Sequence, residues 1–196
     1  MQLVPYKNST TSLLTSPSAS VDQLDSILDA RLLADPRVID FNRSWRDTSL
    51  LCASEAPSGS IVRHVRLHDR ILKVVAIPDG DQPLPRLSRK LRARWRHARL
   101  LLVTERWLRR RPQVEVSELI AGSATYPVSP SARVHLADYL SDHGGSAILI
   151  DCAAQIFGTD DPVRAVLAMA ASKVISIDIT RPIGPMSRVE LFPTIR

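Results

Sequence analysis

The sequence predicts an α/β fold in two units: helices mixed with strands over residues 21–121, then a helical unit closed by a hairpin over residues 131–196. Three observations carry this. Apolar residues fall at three- and four-residue spacing in residues 21–34, in short extended runs through residues 38–77, and again at helical spacing in residues 84–98. The segments SEAPSGS (Ser54 to Ser60), Asp79-Gly80 and GSATYPVSP (Gly122 to Pro130) punctuate those runs as loops. After the last of them, three helical stretches are followed by one strongly alternating one, VISIDIT.

Taken in order, Met1 to Ser20 is rich in Ser and Thr, lacks periodicity, and is expected to be a flexible tail. Val21 to Ala34 sets Val21, Leu24, Ile27, Leu28 and Leu32 on one helical face, and Asp35-Pro36 ends it. Val38 to Trp45, Ser49 to Ala53, Ile61 to Leu67 and Ile71 to Ile77 read as strands of a meander. Leu84 to Ala98 returns to a helix that buries Leu87, Leu91 and Trp95 and turns its cations outward. Leu100 to Thr104, LLLVT, is too short and too continuously apolar for another amphipathic helix, so it predicts a buried central strand. Glu105 to Arg111 starts another helix, stopped near Pro112.

Residues 122–130 form a linker. Beyond it, Ser131 to His143, Ile148 to Phe157 and Asp160 to Lys173 are predicted helices; Val174 to Thr180 and Ser187 to Leu191 pair across the turn RPIGP. Three helices and a two-stranded hairpin form the winged-helix layout. The third helix, DPVRAVLAMAASK, is poor in the Arg, Lys, Asn and Gln that read base edges, so this unit is expected to dock protein more readily than to read a groove.

Charge is localised. Residues 1–85 carry 9 basic and 10 acidic side chains, residues 86–111 carry 11 and 1, and residues 112–196 carry 6 and 9, so one block supplies the net charge of +6. Such a block is the electrostatic footprint of phosphate contact. It offers Arg86, Arg89, Lys90, Arg92, Arg94, Arg96, Arg99, Arg106, Arg109, Arg110 and Arg111 as DNA-binding residues, with Arg181 and Arg188 on the predicted wing. Six of these cations on phosphates would make affinity fall by about 10³ between 50 and 200 mM salt.

Other chemistries are poorly supplied. Two cysteines, Cys52 and Cys152, exclude a disulfide scaffold and a cysteine-based zinc site and read as small apolar fillers of a reducing compartment. His64 and His68 lie too far apart along a strand, about 13 Å, to share a metal. No phosphate-cradling glycine motif or nucleophile elbow occurs. The predicted strands Ile61 to Leu67 and Ile71 to Ile77 carry no Asp or Glu, so a two-metal nuclease site finds no strand ligands there. No stretch approaches the ~18 apolar residues of a membrane span. A cytoplasmic protein, nucleoid-associated when bound to DNA, is expected.

LLADPRVIDF (Leu32 to Phe41), RLLLVTERWLR (Arg99 to Arg109) and the closing VISIDIT hairpin, in this order of elements, resemble the TnsA family, the endonuclease subunit of heteromeric transposases. The resemblance spans the chain from about Val21. It implies a restriction-endonuclease-like domain of the PD-(D/E)XK type followed by a winged-helix domain, and a partner that is a transposase-type subunit or an AAA+ ATPase. In the family a helical Glu precedes the Asp-Pro step; Asp25 holds that place here. The central metal-binding Asp would fall at Val62 or Arg63, and the acid and Lys of the next strand at Val74 and Ala76, with Lys73 out of register. The resemblance therefore implies the scaffold and argues against its chemistry: an inactive relative, without cofactor, that binds double-stranded DNA and assembles with protein partners, itself included. Arg63 would then stand where a metal stands and attract a phosphate.

Three other readings remain open at this level. One is a stand-alone winged-helix transcriptional regulator using Arg164, Arg181 and Arg188. Another is an active, Mg²⁺-dependent endonuclease with a migrated site built from Asp25, Asp69 and Lys73. The third is a structural adaptor whose cationic block is a solvated face.

Overall fold

The structure, a computed structural model, describes residues 17–43, 56–80, 84–96 and 99–192. The first sixteen residues of the expected tail, the expected strand Ser49 to Ala53, and Trp45, Cys52, His97 and Ala98 lie outside the described residues. The fold is mixed α/β, with a four-stranded sheet, a three-stranded sheet and helices around both.

The first helix, α1 (Pro17–Ala34), begins four residues before the predicted start, inside the stretch read as tail. It is followed by β1 (Val38–Arg43), β2 (Ile61–Leu67) and β3 (Ile71–Ile77), then α2 (Leu84–Arg94) and β4 (Arg99–Thr104). Strands β1, β2 and β3 are antiparallel neighbours, and β4 returns parallel to β3, with α2 as the crossover. Alternation along the strands decides the layers. Ile61, Val65, Val74, Ala76 and Val103 face α1, with its Leu24, Ile27, Leu28 and Leu32. Val62, Val75 and Ile77 face the opposite side, where Leu87 and Leu91 of α2 cover them. A helix thus lies on each face of the sheet.

The central position predicted for Leu100 to Thr104 is corrected. In the sheet order β1-β2-β3-β4 it is an edge strand, and of its residues Val103 alone is buried while Leu101 is 46% exposed. Its continuous apolarity has another cause. Leu100 and Leu102 pack toward α2 and Val103 toward α1, so both faces near the edge are covered.

Two short helices follow, α3 (Glu105–Leu108) and α4 (Gln113–Ser123), the second of which the sequence reading did not assign. Helix α4 enters the first residues of the predicted linker, and its buried Val116 and Ile120 belong to the core of the C-terminal helices. That part contains α5 (Pro130–Asp142), β5 (Ser146–Ile148), α6 (Leu149–Ala154), α7 (Pro162–Ala171), β6 (Ile175–Ile177) and β7 (Arg188–Leu191). The predicted helix from Ile148 to Phe157 is therefore a strand end plus a shorter helix, and the predicted two-stranded hairpin is a three-stranded sheet in the order β5-β7-β6. Three residues after Gly144-Gly145 were too few to show alternation, which hid β5.

Helix α7 is buried from Ala165 to Ala171, while Val163 and Arg164 in its first turn are exposed. It packs on α4 and on α1. At its end Lys173 takes a left-handed backbone conformation, φ 61°, and its Nζ donates to the carbonyl oxygens of Leu33 and Asp35 at the end of α1. Burial lowers the Lys173 pKa to about 8, against the attraction of Asp35. No helix among the described residues is long and apolar enough to cross a membrane.

Candidate nucleic-acid interface

Two surfaces bear on function, a cleft beside α1 and the outer face of α2. The cleft forms because Asp22, Asp25, Ser26 and Asp29 project from one side of α1 at three- and four-residue spacing toward β2, Phe41 and α4. Its volume is about 620 Å³. Behind it lies Arg63 of β2, 3% exposed. Its Nε donates to Asp29 Oδ1 at 2.7 Å, its Nη2 donates to Asp25 Oδ1, and its Nη1 donates to the carbonyl oxygen of Val62 at 3.0 Å. A buried guanidinium needs such partners, because an unpaired charge there would cost several kcal/mol.

This geometry corrects the expectation that Arg63 attracts a phosphate. Its charge is met by two carboxylates, and Asp22 and Glu118 make the mouth of the cleft acidic. The residues opposite Arg63 and Ile61 in the β3 ladder are Val74 and Ala76, both buried and apolar. Among the described residues, no group of three His, Cys, Asp or Glu side chains is placed to hold a metal ion. The guanidinium fills the space between the α1 carboxylates, and its two donors satisfy them as a cation would.

Of the residues offered for a migrated nuclease site, Asp69 and Lys73 line one pocket with His64, Arg70 and Arg99, but Asp25 is not among them. Asp25 sits in the cleft on the α1 face. Lys73 pairs in register with His64 on the other face of the sheet, and its Nζ lies 4.7 Å from the Trp95 ring centroid. Asp69 stands in the β2–β3 turn, where hydrogen bonds from Arg70 hold its carboxyl below the usual range.

The basic block divides into groups with different surroundings. On α2, Leu87 and Leu91 point into the core, so the intervening residues Arg86, Arg89, Lys90 and Arg92 are exposed, and Arg96 just beyond the helix is exposed too. Arg96 donates to the carbonyl oxygen of Ala93. None of the five forms an ion pair among the described residues; the Arg94 side chain lies outside them. The cations after β4 are partly spent within the fold. Arg109 is held by Glu105 at 2.7 Å and by Gln23, and Arg111 by Glu115 at 3.1 Å. Arg99, Arg106 and Arg110 are exposed. Of the two wing residues, Arg188 bonds Glu190 and Ser146, and Arg181 lies exposed beyond β6.

The burial of α7 changes the reading of the C-terminal unit. From Ala165 onward the helix is buried against α4, α6 and α1 and offers no face to a groove, and Arg164 in its exposed first turn is stacked over Tyr126, 5.2 Å from the ring centroid. Sequence reading missed Asp29 as the second partner of Arg63; its four-residue spacing from Asp25 was the available signal. It also passed over Trp107 of α3, 43% exposed, with Arg106 before it and Arg109 to Arg111 after it.

No family model matches the chain, and neither a curated protein nor a solved structure matches it.

Proposed function

We propose that this protein binds double-stranded DNA through the outer face of α2 and acts as a non-cutting assembly component, a pseudonuclease of the kind that the TnsA resemblance implies. The observation that carries the reading is the set of five exposed α2-face cations, Arg86, Arg89, Lys90, Arg92 and Arg96, with no carboxylate partner among the described residues. Cations fixed at helical spacing on a rigid face suit phosphates, and they carry no base readout.

The arrangement of elements supports a restriction-endonuclease-like origin. A helix, three antiparallel strands, a crossover helix and a parallel fourth strand follow one another, with the cleft at the α1 face where Arg63 stands opposite Val74. For the C-terminal unit, three helices with strands in the order β5-β7-β6 support a winged-helix reading. Since its third helix is covered by α1 and α4, the domain serves as a structural brace and offers its remaining surface to a transposase-type or AAA+ partner.

The test is duplex binding as a function of salt. Five phosphate contacts give a loss of about 500-fold in affinity between 50 and 200 mM salt on a labelled 24-bp duplex. Replacing Arg89, Lys90 and Arg92 by Gln lowers the slope of log affinity against log salt by about 2.7. A flat salt response, or a slope unchanged by the triple substitution, rejects the reading. Plasmid nicking with Mg²⁺ or Mn²⁺ that is lost in Asp25→Ala would restore the nuclease alternative.

A further inference from the structure

We propose that Trp107 is a stacking platform for an unpaired nucleobase, which gives the α1 side of the molecule a binding site for single-stranded DNA distinct from the duplex-binding face of α2. The inference takes its class of ligand from the nucleic-acid reading above but rests on different residues in a different layer.

Three features of the ring support it. Trp107 is 43% exposed although it sits in a helix whose next residue, Leu108, is 1% exposed and anchored in the α1 core. Its backbone is fixed: the N–H donates to Thr104 Oγ1 at 3.2 Å, and its carbonyl accepts from the Arg110 N–H at 3.3 Å. Its inner face is occupied, with the Arg31 guanidinium carbon 4.8 Å from the ring centroid. Arg31 is 8% exposed, and its Nε and Nη1 have no hydrogen-bond partner among the described residues. The π face therefore helps to compensate a buried cation two of whose nitrogens find no acceptor among the described residues, and Arg31 in turn holds the ring in one plane. A ring fixed from beneath and open above loses little entropy when something stacks on it.

The surroundings of the ring decide what stacks. A protein hot spot places its aromatic anchor in an apolar, dry centre. Here the exposed neighbours are Arg106 and Arg110, on either side of Trp107 in sequence, with no ion partner among the described residues. An exposed aromatic ring with exposed cations one residue before and three residues after it matches one base and its neighbouring phosphates. Interior base pairs of a duplex have both faces covered by neighbours, so the platform selects unpaired bases. Leu108 and Trp107 belong to the α1 layer, and α2 covers the opposite face of the sheet, so the two DNA-binding surfaces are separable by mutation.

The experiment measures anisotropy of labelled dT20 and of a 24-bp duplex with the full chain and three variants, each checked for folding by its melting temperature. Trp107→Leu is expected to weaken dT20 binding roughly tenfold, the loss typical of one stacked base, while duplex affinity stays within about twofold. Trp107→Phe, which keeps a π face, stays within about threefold on both. Because Trp107→Leu also removes the cover of Arg31, the pair Arg106→Gln and Arg110→Gln serves where that variant does not fold; it lowers dT20 affinity by roughly tenfold and leaves the Arg31 contact intact. The proposal is overturned by a folded Trp107→Leu that binds dT20 like the parent, by equal losses on dT20 and duplex, or by an Arg106 and Arg110 double variant without effect on dT20. Failure of the α2 reading gives a different pattern: duplex binding insensitive to Arg89→Gln, Lys90→Gln and Arg92→Gln, with the dependence of dT20 on Trp107 unaffected.

Discussion

Arg63 on β2 and Asp29 on α1, 34 residues apart in sequence, are joined by a 2.7 Å hydrogen bond from Nε to Oδ1, and Asp25 one turn earlier on α1 accepts from Nη2 of the same guanidinium. The pair fastens the first helix to the sheet at the place where the resemblance puts a metal. Its asymmetry predicts the effect of breaking it. The Arg63 side chain is 4% exposed, whereas those of Asp25 and Asp29 are 27% and 21% exposed. Asp29→Ala leaves a buried cation with one carboxylate and is expected to destabilise by about 3 kcal/mol in urea unfolding. Arg63→Met removes the buried charge and leaves two carboxylates that can reach water, at an expected cost of about 1 kcal/mol or less. Equal losses in the two variants would contradict this account.

The same geometry predicts what one substitution adds. Arg63→Asp would remove the guanidinium from between Asp25 and Asp29 and put a third carboxylate on β2 on the side facing them. Hard divalent cations bind such oxygen sets. Calorimetric titration with Mn²⁺ is expected to show binding by the variant and none by the parent. A variant without binding would show that the three side chains do not converge.

These two predictions mark how far the sequence could be read. The order of elements from α1 to α3 followed from spacing, since Leu24, Ile27 and Leu28 repeat at helical intervals and Asp79-Gly80 breaks the chain after β3, whereas α4 and β5 did not. The edge position of β4 was hidden because an edge strand covered by helices on both faces is as apolar as a central one. The fate of Arg63 was hidden too: local sequence shows a cation in a strand, and the neutralising acids come from a helix 34 and 38 residues away. The α2 cations were legible, because helical spacing separated Leu87 and Leu91 from the charges. The cations near Glu105 and Glu115 lose part of their charge to i,i+4 partners already visible in the sequence.

Lys173 makes stability depend on pH. Its folded pKa is lowered from 10.5 to about 8, chiefly by burial. The unfolded chain therefore binds more protons between these values, and linkage makes the Lys173 contribution to stability rise with pH across that window. The cost of burying the charged form is fully present below about pH 8. Relative to the parent, Lys173→Met is expected to gain stability at pH 7 from removing that charge and to lose the bonds to Leu33 and Asp35, each about 1 kcal/mol. The diagnostic is the slope: between pH 8 and 10 the parent gains stability over the variant in chemical denaturation. Parallel curves would remove Lys173 as the source.

Burial of α7 predicts that the C-terminal unit does not read DNA sequence through its third helix. Arg164→Ala is expected to leave the ratio of affinities for unrelated duplexes unchanged, because Arg164 lies over Tyr126 and the helix from Ala165 onward is buried against α4, α6 and α1. Met169→Ala, by contrast, opens a void at a fully buried position and is expected to cost 2–5 kcal/mol, visible in thermal melting. A sequence preference lost in Arg164→Ala would return the chain to the regulator class.

Cys152 gives a probe of the same core without altering it. The thiol is buried between α6 and its neighbours, and burial, with the nearby Asp151 carboxylate, pushes its pKa up to about 11. Reaction needs the thiolate and access to it, and the folded state at pH 8 supplies neither. In a Cys52→Ser background, labelling of Cys152 by a disulfide reagent is therefore expected to be slow in buffer and to accelerate along the unfolding curve in urea. If the helical unit opens without the four-stranded sheet, labelling will precede the loss of the tryptophan signal, since Trp45, Trp95 and Trp107 all precede that unit in the chain. Coincident curves will show that Val116 and Ile120 of α4 and Ala34 of α1, which share the Cys152 core, couple the two parts into one cooperative unit. Fast labelling in buffer would contradict the buried placement of Cys152.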